Sequence, residues 1–96
     1  MNANNNVKNI MNYEDTFIIG KSDLTKENFD VLLFVRRDVE KVTIPSFIKR
    51  IAPYAFQHCY DLKTVDFEHD SQLEVIDEFA FHDTYIVKMT IPSNVT

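Results

Sequence analysis

A chain of 96 residues, 45% of them apolar and eight of them Phe, holds enough hydrophobic material for one folded domain and is too apolar to be disordered throughout. Ten basic against fifteen acidic residues give a net charge of −5, which removes the basic footprint that general nucleic-acid binding requires. No stretch approaches the roughly 18 apolar residues of a membrane span, so no membrane insertion is expected, and the single Cys59 excludes an intrachain disulfide framework.

Residues 1–12 are half asparagine and read as a disordered lead. They lack the apolar core of a secretion signal, so the chain as written is expected to stay in the cytoplasm where it is made. Residues 13–38 read as a capping segment. Thr16-Phe17-Ile18-Ile19 predicts a first strand ended by Gly20, the only glycine. Lys21 to Asn28 is polar and predicts a turn or short helix with Ser22 or Asp23 as its cap. Phe29 to Val35 is β-branched and aromatic enough for a second strand, and the pair forms a hairpin-like lid. Terminal repeats need such lids because their outer faces are otherwise apolar.

From residue 39 the chain repeats itself imperfectly. Val42, Val65 and Met89 correspond, and Ile44, Phe67 and Ile91 follow two residues later. This alternation predicts a short strand with one face inward. Pro45 and Pro92 close the strand, since proline cannot donate the next ladder hydrogen bond; Glu68 follows Phe67 in the second copy. Ile51, Ala55, Phe56 and Cys59 then fall at i, i+4, i+5 and i+8, and Ile76, Ala80, Phe81 and Thr84 repeat that stripe. The spacing is that of a helix. Pro53 near its start, and Asp77 and Glu78 in the second copy, suit a helix N-terminus. Leu62 and Ile86 lead back to the next strand.

Each unit therefore reads as a strand, a turn, a helical turn and a return, and residues 39–96 hold two complete units and the start of a third. A single unit cannot bury its apolar face, so units must stack. The last strand, with Met89 and Ile91, predicts an open edge through which copies could self-associate. The stop at Thr96 also supports an alternative reading: a truncated structural piece of a larger repeat protein or adhesin, without independent activity.

The succession Ile44-Pro45-Ser46, Ile48, Ile51, Ala55-Phe56, Cys59, Leu62 resembles the BspA-like leucine-rich repeat, and the likeness covers about Val39 to Thr96. The resemblance implies an α/β solenoid, a right-handed superhelix with a parallel strand face. It also implies recognition of a protein partner, as in surface antigens and adhesins of this type, and makes the cell surface the alternative location.

Candidates for chemistry are few. His58 and Cys59 are adjacent and His69 and His82 distant, without the paired close spacing of a zinc site. Cys59 falls at a small apolar position of the repeat, where a free Cys acts as a small hydrophobe. Asp66, Glu68 and Asp70 alternate along a strand, but no glycine-containing loop or closing Glu completes a calcium site. One glycine cannot build a phosphate loop. The sequon Asn94-Val95-Thr96 stands at the very end, without an entry signal. The chain thus reads as non-enzymatic, with no cofactor and no metal. Its best surface is the outward strand face: Lys41, Thr43, Lys63, Asp66, Glu68, Lys88 and Thr90. Eight carboxylates and one lysine lie between Asp61 and Asp83, against five basic and two acidic residues from Arg36 to Arg50. Such asymmetry can steer a partner.

Overall fold

The computed structural model describes residues 9–92 as strands, turns and loops in two open sheets. Strand β1 (Ile10–Tyr13) starts inside the Asn-rich lead and pairs antiparallel with β2 (Phe17–Gly20). Both central residues of the connecting turn, Glu14 and Asp15, have positive φ (54° and 56°), as a type I′ hairpin turn requires. β2 pairs antiparallel with β3 (Val31–Val35) across a register shift at Ile18/Ile19. Gly20 ends β2 where a Cβ would stand 2.7 Å from Leu33 Cδ1, so a larger residue there would make the Leu33 side chain shift.

Residues 21–28 form no helix. Asp23 Oδ1 accepts from Thr25 N (3.0 Å) and Thr25 Oγ1 (2.6 Å), closing an Asx turn in which the side chain competes with helical hydrogen bonding. Asp30 then ties the loop down, accepting from Ser22 N at 2.8 Å and Ser22 Oγ at 2.6 Å.

Each of the two complete repeat units contributes one strand to each sheet, and the third adds one strand among the described residues. β4 (Lys41–Ile44), β6 (Thr64–Phe67) and β8 (Lys88–Met89) form a three-stranded parallel sheet. β5 (Arg50–Ile51) and β7 (Val75–Ile76) are parallel to each other and to β3, so the antiparallel lid extends the second sheet. β3 takes the place beside β5 that β5 takes beside β7. It supplies the first unit with the neighbour it would otherwise lack.

The core lies between the two sheets. Val42, Ile44, Ile48, Ile51, Ala55, Phe56, Cys59, Leu62, Val65, Leu73 and Ala80 are buried, continuous with Phe17, Ile19, Leu32 and Val35 of the lid. Phe56 and Phe81 stack across successive units, with ring centroids 4.5 Å apart.

The expected α/β character is corrected: among the described residues the stripes after Ile51 and Ile76 are consecutive turns, not helices. Tyr54 and His58 have φ of 63° and 65°, and Phe79 and Asp83 match them at 61° and 60°. Two left-handed residues four positions apart cannot sit within a right-handed helix. The amides show the alternative. Ala55, Gln57 and Cys59 N–H close local turns onto Ala52, Tyr54 and Phe56 carbonyls, while Phe56 and His58 N–H reach Ala80 O (2.8 Å) and His82 O (3.4 Å) in the next unit. Alternate amides thus hold the turn and join the stack, which satisfies backbone groups that would otherwise be buried unpaired. Pro53 at the second and Tyr54 at the third position of the turn Ala52–Ala55 fit a type II turn.

Candidate interaction surface

The parallel register of β4, β6 and β8 arranges outward side chains in rows. Lys41, Thr64 and Lys88 share one row. Thr43 and Asp66 share the next, and Thr90 follows Met89 on the side of that row. Thr43, Lys41, Lys88 and Thr90 are exposed, and Asp66 is half-buried. Lys63 is exposed but lies one residue before β6, so Thr64 takes the row position between the two lysines. Sequence reading passed over Thr64, although the equivalence of Val42, Val65 and Met89 already implies it.

The row is lightly cross-linked. Lys41 Nζ lies 3.7 Å from Asp66 Oδ2, with the lysine exposed and the carboxylate about half exposed, and such solvent-screened pairs contribute little. Glu68 has a structural task as well. Its Oε1 accepts from Ser46 N at 2.7 Å, and its own N–H donates to Ile44 O at 3.0 Å. Glu68 therefore supplies an acceptor to the chain just after Pro45, a charge-assisted bond between units. Past the ends of β6 and β8, Asp66, Phe67, Glu68, Asp70, Ser71, Thr90 and Pro92 line an open groove of about 550 Å³.

The histidines and the cysteine do not converge. Among the described residues no three His, Cys, Asp or Glu side chains form a metal-binding group. His58 Nδ1 faces Tyr60 Oη (2.8 Å) and Asp83 Oδ2 (3.4 Å), and the His69 side chain is almost fully exposed. Cys59 is buried, with Arg37 Nη1 at 3.6 Å and Arg36 O at 3.9 Å from its Sγ. Burial pushes the thiol above its ordinary value, against the opposing pull of Arg37. Arg37 also donates to Val35 O and Ala55 O and stacks its guanidinium 3.9 Å from the Phe34 ring centre, plugging carbonyls at the lid boundary. The sequon at 94–96 lies outside the described residues.

Across these units the strand, turn and return recur with the same inward residues, and a family model agrees. The model for the BspA-type leucine-rich repeat region (6 copies) matches residues 26–96. The chain belongs to this family. Its match begins at Lys26, ahead of β3, in keeping with the place of β3 beside β5 and β7. Neither a curated protein nor a solved structure matches the chain. BspA-type leucine-rich repeats generally mediate contacts between proteins, are typically non-enzymatic and are surface-associated. Among the described residues no helix is long and apolar enough to cross a membrane.

Proposed function

We propose that this BspA-type repeat is a non-enzymatic interaction module whose β4–β6–β8 face docks a protein partner. The observation that carries the reading is the register of three parallel strands, which sets Lys41, Thr64 and Lys88 beside Thr43 and Asp66 on one exposed face. Lys63, Glu68 and Thr90 border that face, and the groove beyond β6 extends it. Stacked repeats bind through extended surfaces of this kind because each unit adds one strand, and so one residue to every row of the patch. In this reading residues 13–38 cap the stack, residues 39–96 carry the repeats, and the units wind as a right-handed superhelix that displays the face at the cell surface.

The test is a panel of purified extracellular-matrix proteins presented to the immobilised chain by biolayer interferometry, with Thr43→Arg/Thr90→Arg as the comparison. Both positions point outward, so circular dichroism should be unchanged while binding falls at least about tenfold, the effect of ~1.4 kcal/mol. Retained binding by the double variant, or no binding to any of the proteins, rejects the strand face as the site.

A second reading rests on a separate observation. Among the described residues β8 has one neighbour, β6, and Ile91 beyond it is 45% exposed. An unpaired strand edge beside apolar side chains favours pairing with another copy. Sedimentation across a range of concentrations should then show a dimer that Ile91→Lys abolishes; a monomer at all concentrations rejects it.

A further inference from the structure

Twice in successive units the backbone forces a large aromatic residue into the left-handed region, at Tyr54 (φ 63°) and Phe79 (φ 61°). Bulky residues rarely tolerate that conformation, and glycine or asparagine usually takes it. The rings gain little core burial in return: Tyr54 is 43% and Phe79 51% exposed. They stack on each other instead, with centroids 5.5 Å apart and planes 18° from parallel, and His82 sets its edge against both. A backbone bond from His58 N to His82 O joins this cluster to a second one. There Tyr60 lies 6.0 Å from Tyr85 and 5.5 Å from His58, with Tyr60 48% and Tyr85 65% exposed.

Scattered surface aromatics need no explanation, but four that recur at matching repeat positions along one ridge do. The inward residues of the same turns already close the core: Ile51, Ala55, Phe56 and Cys59 are fully buried. The turns themselves carry charge of one sign, and the basic groups that reach them, Arg37 on Ala55 O and Cys59 Sγ and Arg50 on Asp77, are already engaged. Residues 51–62 and 76–87 contain no Lys or Arg, while Asp61 follows Tyr60, Glu78 precedes Phe79, and Asp83 lies 3.4 Å from His58. Aromatic faces fringed by carboxylates attract cations twice, through the ring quadrupole and through opposite charge. Arginine suits both, because its planar guanidinium stacks on a ring while its edge donates to carboxylates.

We propose that this turn ridge, formed by Tyr54, Phe79, Tyr60, Tyr85, Glu78 and Asp83, docks an arginine-rich segment of a protein partner. The ridge is independent of the strand face: one is built from turns, the other from β4, β6 and β8. Nucleic acid is disfavoured by the same carboxylates, and a neutral sugar, whose hydroxyls carboxylates can also accept, is told from arginine by binding that salt leaves unchanged.

The probe is a fluorescein-labelled peptide of six Gly-Arg repeats, followed by fluorescence anisotropy against the intact chain. Tyr54→Gly/Phe79→Gly removes both rings and relieves both left-handed positions, so the fold should persist while affinity falls about tenfold. Tyr60→Ser/Tyr85→Ser supplies an independent loss at ordinary backbone positions if the glycine variant unfolds. A Gly-Lys peptide should bind more weakly than Gly-Arg, and 0.5 M salt should weaken the wild type without removing its margin over the variants. Unchanged binding by folded ring variants would show attraction by net charge alone and overturn the proposal. So would stronger binding of a Gly-Glu peptide or a neutral oligosaccharide.

Discussion

Phe56→Ala and Phe81→Ala should differ in cost although the two rings occupy equivalent positions. Phe56 is fully buried between the sheets, whereas Phe81 is only partly buried and packs against the core from its edge. Their stack at 4.5 Å is lost equally in either variant, so the difference reports burial alone. Truncating a fully buried Phe removes its transfer energy and leaves a cavity, at a cost of about 3–5 kcal/mol. A partly exposed ring forfeits less of both, about half that amount. Small domains have only about 5–15 kcal/mol in total, and each 1 kcal/mol moves the midpoint roughly 4–8 °C at this size. Phe56→Ala should therefore lower the melting temperature by about 12–40 °C, and Phe81→Ala by about half as much. Urea and thermal unfolding followed by far-ultraviolet circular dichroism measure both, and Phe56→Leu should keep a folded baseline if the alanine variant does not. Equal costs for the two alanine variants, or a cost below about 1.5 kcal/mol for Phe56→Ala, would refute the placement of the core between the sheets.

Three further outcomes follow from single contacts. Asp30 is pushed upward by burial, but the Ser22 hydroxyl and amide and nearby Lys49 outweigh this and hold it below its ordinary value of 3.8. A depressed carboxyl stabilises the fold above its unfolded pKa and loses that effect as pH falls through the folded one, so the deficit of Asp30→Asn at pH 7 should shrink steadily below about pH 4 in urea titrations. Cys59 runs the other way: its raised thiol keeps the proton while the unfolded chain loses its own near 9.0, so wild type should lose stability above about pH 9 relative to Cys59→Ala, and a thiol reagent at pH 7 should react only after unfolding. Arg50 Nη1 contacts both carboxylate oxygens of Asp77 in the next unit at 3.0 and 3.1 Å, and a double-mutant cycle with Arg50→Met and Asp77→Asn should give a coupling of about 0.5–1 kcal/mol that weakens in 1 M salt.

The direction of most core side chains in the repeats was legible in the sequence. Val42, Ile44, Ile51, Ala55, Phe56, Cys59, Leu62, Val65 and Ala80 all face inward as their spacing predicts. The conformation between them was not, because apolar periodicity reports which way a side chain points and is silent on where the amide goes. At Phe56 and His58 the amide goes to the next unit, a bond that one unit's residues cannot reveal. Leu73 was missed for a related reason. It is fully buried at the position that Ile48 holds in the first unit, since Gln72 N and Glu74 N bond Ser46 O and Lys49 O on either side. The longer loop before it shifts the repeat out of register in a simple alignment. Of the strand face, the outward rows were legible from the inward ones, apart from the exchange of Lys63 for Thr64. The aromatic ridge left a weaker trace, the recurrence of an aromatic just before Ala55-Phe56 and again before Ala80-Phe81.

With a single glycine in the chain, side chains must occupy the left-handed positions, and Asp70 tests what that costs away from either surface-forming cluster of rings. Asp70 has φ of 62° in the loop between β6 and β7, and its side chain is 87% exposed. Asp tolerates this region better than most residues because its short polar side chain can bond locally. Asp70→Gly should consequently gain only a few tenths of a kcal/mol, the relief being offset by the freedom glycine adds to the unfolded chain. Asp70→Val loses both the tolerance and the χ1 freedom, and should destabilise by about 1–2 kcal/mol although it removes no buried contact. Urea midpoints of the two variants at pH 7 decide the matter: a Val variant as stable as the Gly variant would mean that the loop relaxes freely and that a left-handed side chain costs nothing at this position.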